Sequence, residues 1–252
     1  MTLEQQFIEN INKNKLIIPK GEIDAEREFN YYLEHEKLVA YFDTEEKVRN
    51  FLDNPTIQML MVHNHVHDIE FNEVLHINNP AYFSTSKDAG NLIHHGYSLN
   101  QLMKHTGKGV VMNSVFEFGG GYGSFIRLLR QVGFSGRIHS YDLPFFSELQ
   151  KYFLGRLGIN NVTYYSNEID DIIDVDLFVG LWSFSEASLQ VRAKILGQVN
   201  FKNCLIAYQP NCNGINNMEY FESFRLKWNH IKFFDYEVPH LKSRYLIGIH
   251  ES

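Results

Sequence analysis

The chain has 252 residues, enough for one large domain or for one domain with an appendage. Apolar residues make up 44% of it, a share that predicts a substantial buried core. The formal net charge is -7 and the lysines and arginines are scattered, which argues against the concentrated basic face of a nucleic-acid binder.

The chain shows no sign of export or of a membrane segment. No apolar run approaches the ~20 residues of a membrane span, and the N-terminal residues lack the apolar stretch of a signal peptide. The two cysteines, Cys204 and Cys212, have no paired spacing, so we expect free thiols. These features predict a cytoplasmic protein.

Residues 1–106 are predicted to form a helical region. Apolar residues recur at helical spacing between residues 23 and 54, residues 82–91 have the composition of a loop, and residues 97–107 predict a short helix ended by Gly107. This region is expected to serve as a lid over the site or as an oligomerisation surface, with a homodimer as one outcome.

From residue 107 to 252 the pattern changes to an α/β domain. Continuous apolar runs predict strands at 110–118, 137–143, 161–166, 175–182 and 203–209, and amphipathic segments predict helices at 124–133, 146–158 and 188–199. Two further strands, 232–240 and 243–250, follow each other without a helix. The sequence therefore predicts a mostly parallel sheet that is finished by an antiparallel hairpin, with helices on both faces.

A glycine motif follows the first strand of this domain. It has the form E-x-G-x-G-x-G, and its four fixed positions are Glu117, Gly119, Gly121 and Gly123. Glycines are required where the backbone takes a positive φ or where a ligand touches it, and the helix that follows points free N–H groups at that ligand. The motif suits a dinucleotide or S-adenosylmethionine.

Three features of the motif favour S-adenosylmethionine. A dinucleotide motif needs its third glycine at the position of Ser124. The acid Glu117 suits the cationic amino group of a methionine moiety better than it suits a pyrophosphate. Asp142, at the end of the next strand, stands where an acid accepts hydrogen bonds from ribose hydroxyls. An NAD-dependent dehydrogenase is therefore disfavoured.

Four segments carry a resemblance to a known family. "FEFGGGYGSF…YDLP", "LWSFSEAS", "AYQPNCNGINNMEYF" and "HLKSRYLIG" are similar to a sugar O-methyltransferase family of class I S-adenosylmethionine-dependent methyltransferases. The resemblance implies a Rossmann-like sheet of seven strands, the last one antiparallel, with the cofactor at the carboxyl ends of the strands. It also implies methylation of a sugar, carried on a nucleotide, during synthesis of a capsule or lipopolysaccharide. The predicted cofactor contacts are Glu117, Gly119, Gly121, Tyr122, Gly123, Asp142, Leu143 and Ser183.

Two residues compete for the role of catalytic base. His240 lies between the last two strands, where the hairpin can overhang the acceptor, and Glu186 follows the strand 175–182. Residues expected to contact the acceptor are Tyr97, Tyr208, Gln209, Asn211 and Arg244. Among them, amide groups and an aromatic face suit sugar hydroxyls, and Arg244 suits a phosphate.

Other interpretations stay open at this stage. His63, His65 and His67 alternate as zinc ligands do, but no fourth ligand is evident, and no metal is expected. The acceptor can also be another small metabolite, phosphate-linked or an amine, and a non-catalytic cofactor-binding module is the alternative outside enzymes. The D/N-P-P-Y signature of nucleic-acid amine methylases is missing, so no nucleic-acid partner is expected. No membrane partner is expected either, because no apolar run is long enough to span a membrane.

Overall fold

The computed structural model describes residues 6, 9, 10, 13, 86–106, 112–237 and 243–250, and of residues 86–94 and 97 the backbone alone. The helices in these ranges are α1 (Ser86–Thr106), α2 (Ser124–Gln131), α3 (Pro144–Arg156), α4 (Ser183–Glu186), α5 (Leu189–Gln198) and α6 (Asn217–Lys227). The strands are β1 (Ser114–Phe118), β2 (Arg137–Tyr141), β3 (Val162–Tyr165), β4 (Ile173–Leu181), β5 (Val199–Tyr208), β6 (Asn211–Cys212), β7 (Ile215–Asn216), β8 (Ile231–Glu237) and β9 (Arg244–His250).

Seven of the strands form one sheet in the order β3-β2-β1-β4-β5-β9-β8. Strands β1 to β5 pair in parallel, and β9 runs antiparallel to both of its neighbours. The chain moves outward from β1 to β3 and then returns to β4 on the other side of β1. This arrangement confirms the predicted seven-stranded, mostly parallel sheet that ends in an antiparallel hairpin.

The centre of the sheet is fixed by aromatic packing. The side chains of β1 are all buried, and Phe116 stacks on Phe178 of β4 with ring centroids 5.8 Å apart. Phe184, directly after β4, meets Phe178 edge to face at 5.2 Å. Such aromatic pairs add to the stability that burial alone provides. The ends of β1 and β4 are therefore held firmly, and these ends carry the candidate site.

Two compact units make up the fold. The sheet unit contains residues 101–120, 135–143 and 161–252, and the helical unit contains residues 1–100, 121–134 and 144–160. In the helical unit, the would-be Cβ of Gly123 lies 3.0 Å from Leu154 of α3, and Gly123 caps α2 with φ +96°. A glycine is therefore needed where α2 begins. The predicted domain boundary at 106/107 stays a prediction.

The structure differs from the predicted elements in several places. Residues 86–91, predicted as part of a loop, belong to α1, because serine and aspartate also favour the first turn of a helix and one glycine is tolerated within it. Helix α6 and the β6–β7 hairpin were not predicted. The hairpin carries a recognisable signal, since the Asn213-Gly214 pair has φ values of +50° and +77°, as a tight hairpin turn requires.

Candidate functional site

The carboxyl ends of β1 and β4 lie side by side at the point where the strand order reverses. Glu117 of β1 is in register with Val179 of β4, the last paired position of the two strands. In doubly wound sheets, ligands bind outside the carboxyl ends of the strands at such a reversal. The sheet unit therefore presents a candidate ligand site formed by the residues that follow β1, β2 and β4.

Glu117 places a carboxyl group in this position. Its side chain is 3% exposed, and its Oε2 has no hydrogen-bond partner among the residues that the structure describes. A Cβ at Gly120 would lie 2.4 Å from the same oxygen, so the carboxyl group rests against bare backbone. Burial, and then the charge of Asp142, raises the pKa of Glu117 to about 8. A cationic donor brought to this oxygen would favour the ionised form.

Asp142 provides a second acid, directly after β2. Its backbone N–H donates to the carbonyl oxygen of Tyr165, and its Oδ1 accepts the N–H of Leu143 at 2.8 Å. These bonds fix the position of the carboxylate, which is 8% exposed. Leu143 beside it is 53% exposed, an apolar surface next to an acid. An acid followed by an exposed apolar side chain suits a ribose that carries a flat base.

Ser183 binds the start of the glycine loop to the end of β4. Its Oγ lies 2.8 Å from the carbonyl oxygen of Gly119 and 3.1 Å from that of Phe118. A Cβ at Gly119 would lie 2.3 Å from the Ser183 side chain, and Gly119 has φ +69°. The first glycine of the motif is therefore required because a larger residue would collide with the Ser183 side chain after β4. The predicted contact of Ser183 and Gly119 with the cofactor stays a prediction.

The remaining motif residues belong to the helical unit. Gly121 has φ +59°, and nothing lies within 4 Å of the Cβ that it lacks. Tyr122 is buried with its ring edge against Phe153, at 5.0 Å between centroids. Of the glycines at 119, 121 and 123, Gly121 thus has the open face, and it is the motif position best suited to contact with a ligand.

A second group of polar residues follows β4 and β5. Glu186 is exposed, and its Oε1 accepts a hydrogen bond from the Gln209 side chain at 3.3 Å. Ser185 bonds to the other end of the Gln209 amide at 3.1 Å. Asn211 is exposed on β6, and Asn213 donates to the Glu186 carbonyl oxygen at 3.1 Å. The structure thus brings Glu186 and Gln209 into contact.

Arg192 of α5 holds this group in place, and the sequence analysis did not identify it. The guanidinium donates to the carbonyl oxygens of Ser185 and Ala187, and to the side chain of Asn217 at 2.8 Å. Asn217 in turn donates to the carbonyl oxygens of Ser185 and Gln209. Arg192 is fully buried. An arginine with this many fixed bonds stabilises the loops that carry Glu186 and Gln209.

Trp182, between β4 and α4, has an uncommon backbone conformation. Its φ is +61° and its ψ is -53°, values that bulky residues rarely adopt. Its backbone N–H donates to the Ala207 carbonyl oxygen, and its indole N–H donates to Ser243 at 3.4 Å. Backbone strain of this kind concentrates at functional sites. No feature of the sequence singles out this residue.

Tyr208 and Arg244, predicted to contact the acceptor, have partners inside the protein. Both bond to Asp235 of β8, the tyrosine hydroxyl at 3.0 Å and the guanidinium at 2.9 Å, and Arg225 pairs with the same carboxylate. Burial, and then Asp235, raises the pKa of Tyr208 to about 12. Tyr208 is fully buried. The described contacts are thus structural, and an acceptor contact by either residue stays a prediction.

Several predicted residues lie outside the described part of the chain. These are His240, the side chain of Tyr97, and the three histidines His63, His65 and His67. Within the ranges that the structure describes, no cluster of three or more metal-ligating side chains is present. None of the helices in those ranges has the length and hydropathy of a membrane span.

No protein-family model and no curated protein matches the chain. Similar solved structures include a SAM-dependent methyltransferase from Aquifex aeolicus, with 19% identity, a TM-score of 0.44, and coverage of 59% of this chain and 87% of that one. An O-methyltransferase family protein from Burkholderia thailandensis has 13% identity, a TM-score of 0.42, and coverage of 72% and 63%. The 16S rRNA methylase ArmA has 16% identity, a TM-score of 0.44, and coverage of 79% and 100%. At these values no function is carried over from them.

Proposed function

We propose that the protein is an S-adenosylmethionine-dependent O-methyltransferase whose acceptor is a small sugar, linked to a nucleotide. The observation that carries the proposal is the buried carboxyl oxygen of Glu117, which no described residue bonds and which lies near Asp142 at the reversal of the strand order. The sugar and its use in a surface polysaccharide are supported by the family resemblance and by the amide-rich loops after β4 and β5.

The described residues fit this cofactor. Glu117 offers an acceptor to an ammonium group, Asp142 offers two oxygens to the ribose hydroxyls, and exposed Leu143 offers an apolar face to adenine. When bound, S-adenosylmethionine supplies an electrophilic methyl group. The protein has to hold the acceptor hydroxyl in line with that group and to take its proton.

Glu186 suits the second task among the described residues. It is an exposed carboxylate at a strand end, and the hydrogen bond from Gln209 fixes its orientation. Asn211 and Asn213 lie on the hairpin that follows β5, where their amides are available to sugar hydroxyls. His240 remains the rival base, since it follows β8 in the sequence.

A methyl-transfer assay tests the proposal. The protein is incubated with S-adenosylmethionine and a panel of nucleotide-sugars, phosphate-linked metabolites, amine metabolites, RNA and DNA, and the products are analysed by mass spectrometry. We expect one methyl group on a sugar hydroxyl. Methylation of a phosphate-linked or amine metabolite alone would overturn the sugar assignment and keep the enzyme class. Methylation of nucleic acid alone would overturn the small-acceptor proposal.

A further inference from the structure

Arg127 of α2 is a buried cation for which the described residues provide no partner. Its side chain is 1% exposed, and Nε, Nη1 and Nη2 have no hydrogen-bond partner within the described part of the chain. Burial lowers the pKa of the guanidinium, and Tyr122 acts in the opposite direction. An uncompensated buried charge strongly destabilises a protein, whereas pairing and hydrogen bonding can offset the cost. The site therefore suits an anion that arrives with a ligand.

Two neighbouring groups share this condition. Ser124 stands one turn before Arg127 on the same face of α2, and its hydroxyl is fully buried without a partner among the described residues. The Nδ1 atom of His95 is also buried and has no hydrogen-bond partner among the residues described, and the His95 ring meets Phe125 edge to face at 5.9 Å. Burial, and then the charge of Arg127, lowers the pKa of His95 to about 4. His95 is thus neutral at physiological pH and close enough to sense Arg127.

The chemistry of this set is that of a hydrogen-bond donor site. A guanidinium has five N–H donors and no acceptor, a serine hydroxyl can donate once, and a neutral imidazole has one N–H. A carboxylate or a phosphate matches the guanidinium fork with two parallel hydrogen bonds. We propose that Arg127, Ser124 and His95 form a buried binding site for an oxyanion, the carboxylate or phosphate group of a ligand.

Two sources can supply this group. One is the carboxylate at the methionine end of S-adenosylmethionine, a source that rests on the proposed function. Its support is that α2 begins directly after Gly123, so the oxyanion site is continuous in sequence with the glycine motif. The other is a phosphate, free or carried by the acceptor, and it does not depend on the cofactor.

Ligand binding to the full-length protein separates the two sources. Calorimetry is run with S-adenosylhomocysteine, with its analogue lacking the carboxylate, and with inorganic phosphate against sodium chloride at matched ionic strength. The variants are Arg127→Met and Arg127→Lys, the second retaining the charge if the first does not fold. Arg130→Met is the matched control, since Arg130 is on the same helix and donates to the Phe134 carbonyl oxygen.

We expect both Arg127 variants to lose affinity for one anionic ligand by roughly 10- to 100-fold, and Arg130→Met to retain it. Loss for S-adenosylhomocysteine but not for its analogue identifies the cofactor carboxylate, and loss for phosphate identifies a phosphate. We also expect Arg127→Met to raise the Tm of the ligand-free protein by roughly 2–10 °C, because an uncompensated charge is removed.

Unchanged binding of both anions in the Arg127 variants would overturn the site, and a lower ligand-free Tm in Arg127→Met would then give the residue a structural role. If wild-type protein binds phosphate through Arg127 but does not bind S-adenosylhomocysteine, the oxyanion site stands and the proposed function fails.

Discussion

At the residue scale, Glu117 has opposite effects on the ligand-free protein and on ligand binding. Its pKa is raised from its ordinary value of 4.5 to about 8, because burial disfavours the charged form and Asp142 adds to this. The protonated group thus contributes stability that is fully present below pH 4.5 and is lost as the pH rises through 8. A bound ammonium group would reverse the preference and draw the proton off.

The substitution Glu117→Gln tests this account. Without ligand, the variant should be more stable than wild type by about 1–3 kcal/mol above roughly pH 8 and equally stable below roughly pH 5. Its affinity for S-adenosylhomocysteine should fall roughly 10- to 100-fold. Thermal unfolding across this pH range and calorimetry measure the two effects. If the stability of both proteins depended on pH in the same way, the Glu117 pKa would not be raised on folding, and the account would be wrong.

The glycines of the motif are predicted to differ in what they tolerate. Gly119→Ala should lower the free energy of unfolding by about 2–5 kcal/mol, because the new Cβ meets Ser183 at 2.3 Å and the backbone is strained at φ +69°. Gly121→Ala should lower the free energy of unfolding by only about 1–2 kcal/mol, the cost of placing an alanine at positive φ, since the new Cβ meets no atom within 4 Å. Denaturant unfolding measures both.

A double variant provides the control for this pair. In a Ser183→Gly background the clash at position 119 is gone, so Gly119→Ala should then cost about as much as Gly121→Ala. An undiminished cost in that background would place the steric conflict elsewhere. Ligand affinity should fall in Gly121→Ala, because an added methyl group fills the open face of the loop.

The catalytic base is also decided at single residues. If Glu186 takes the acceptor proton, Glu186→Gln should lower kcat by roughly 10²–10⁴-fold, while His240→Ala mainly raises KM. If His240 is the base, the two outcomes exchange, and kcat/KM should rise with pH through an ionisation near about 6.5. Steady-state kinetics on variants of unchanged Tm measure this. Wild-type kcat in both variants would contradict a protein base of either kind.

At the element scale, the junction of α4, α5 and α6 depends on Arg192. Arg192→Met removes the N–H groups that donate to the carbonyl oxygens of Ser185 and Ala187 and to the side-chain oxygen of Asn217. We expect the free energy of unfolding to fall by about 2–4 kcal/mol. Acceptor KM should rise, because Glu186 and Gln209 lose their support, while affinity for S-adenosylhomocysteine stays close to wild type. Chemical unfolding and kinetics check these outcomes.

Lys194→Met is the matched control for this prediction. Lys194 lies on the same helix, is exposed, and donates to the Asn167 carbonyl oxygen, so its loss should change stability by less than about 0.5 kcal/mol. An Arg192→Met protein as stable as this control would mean that the junction is held by other contacts.

The strands were predictable where burial is continuous, and less so where it alternates. β4 is apolar and buried over residues 177–180, and the predicted strand 175–182 covers most of it. β5 begins at Val199, earlier than predicted, because its first residues alternate between buried and exposed. Helix α6 was missed because its buried residues, Phe221 and Phe224, form a narrow stripe, and exposed Leu226 obscures it. Periodicity indicates an element only when the buried face is wide.

At the scale of the whole molecule, the sequence predicted the order of the elements and the strand-end positions of the acids better than it predicted the surroundings of the arginines. The positions of Glu117 and Asp142 follow from strand ends, which local pattern determines. The partner of Arg244 follows from sheet register, which places Tyr208 opposite Arg244 and brings both to Asp235. Burial of Arg127 and Arg192 depends on how helices pack, and no local pattern contains that information.

The net charge of -7 also acts at this scale. The counterion release that drives binding to nucleic-acid phosphates requires lysines and arginines concentrated on one face, and in this chain they are scattered along the sequence. The charge is compatible with a small acceptor whose phosphate meets individual arginines. It therefore supports the choice of nucleotide-sugars for the transfer assay.

The central claim is that Glu117, near the end of β1, and Asp142, directly after β2, bind S-adenosylmethionine. Calorimetry with S-adenosylhomocysteine tests it most directly. We expect binding to the wild-type chain, weaker binding by about 1–3 kcal/mol in Asp142→Ala, and unchanged binding in Asp170→Ala, the replacement of an exposed acid. NADH should give no binding. Tight NADH binding together with no binding of S-adenosylhomocysteine would contradict the account.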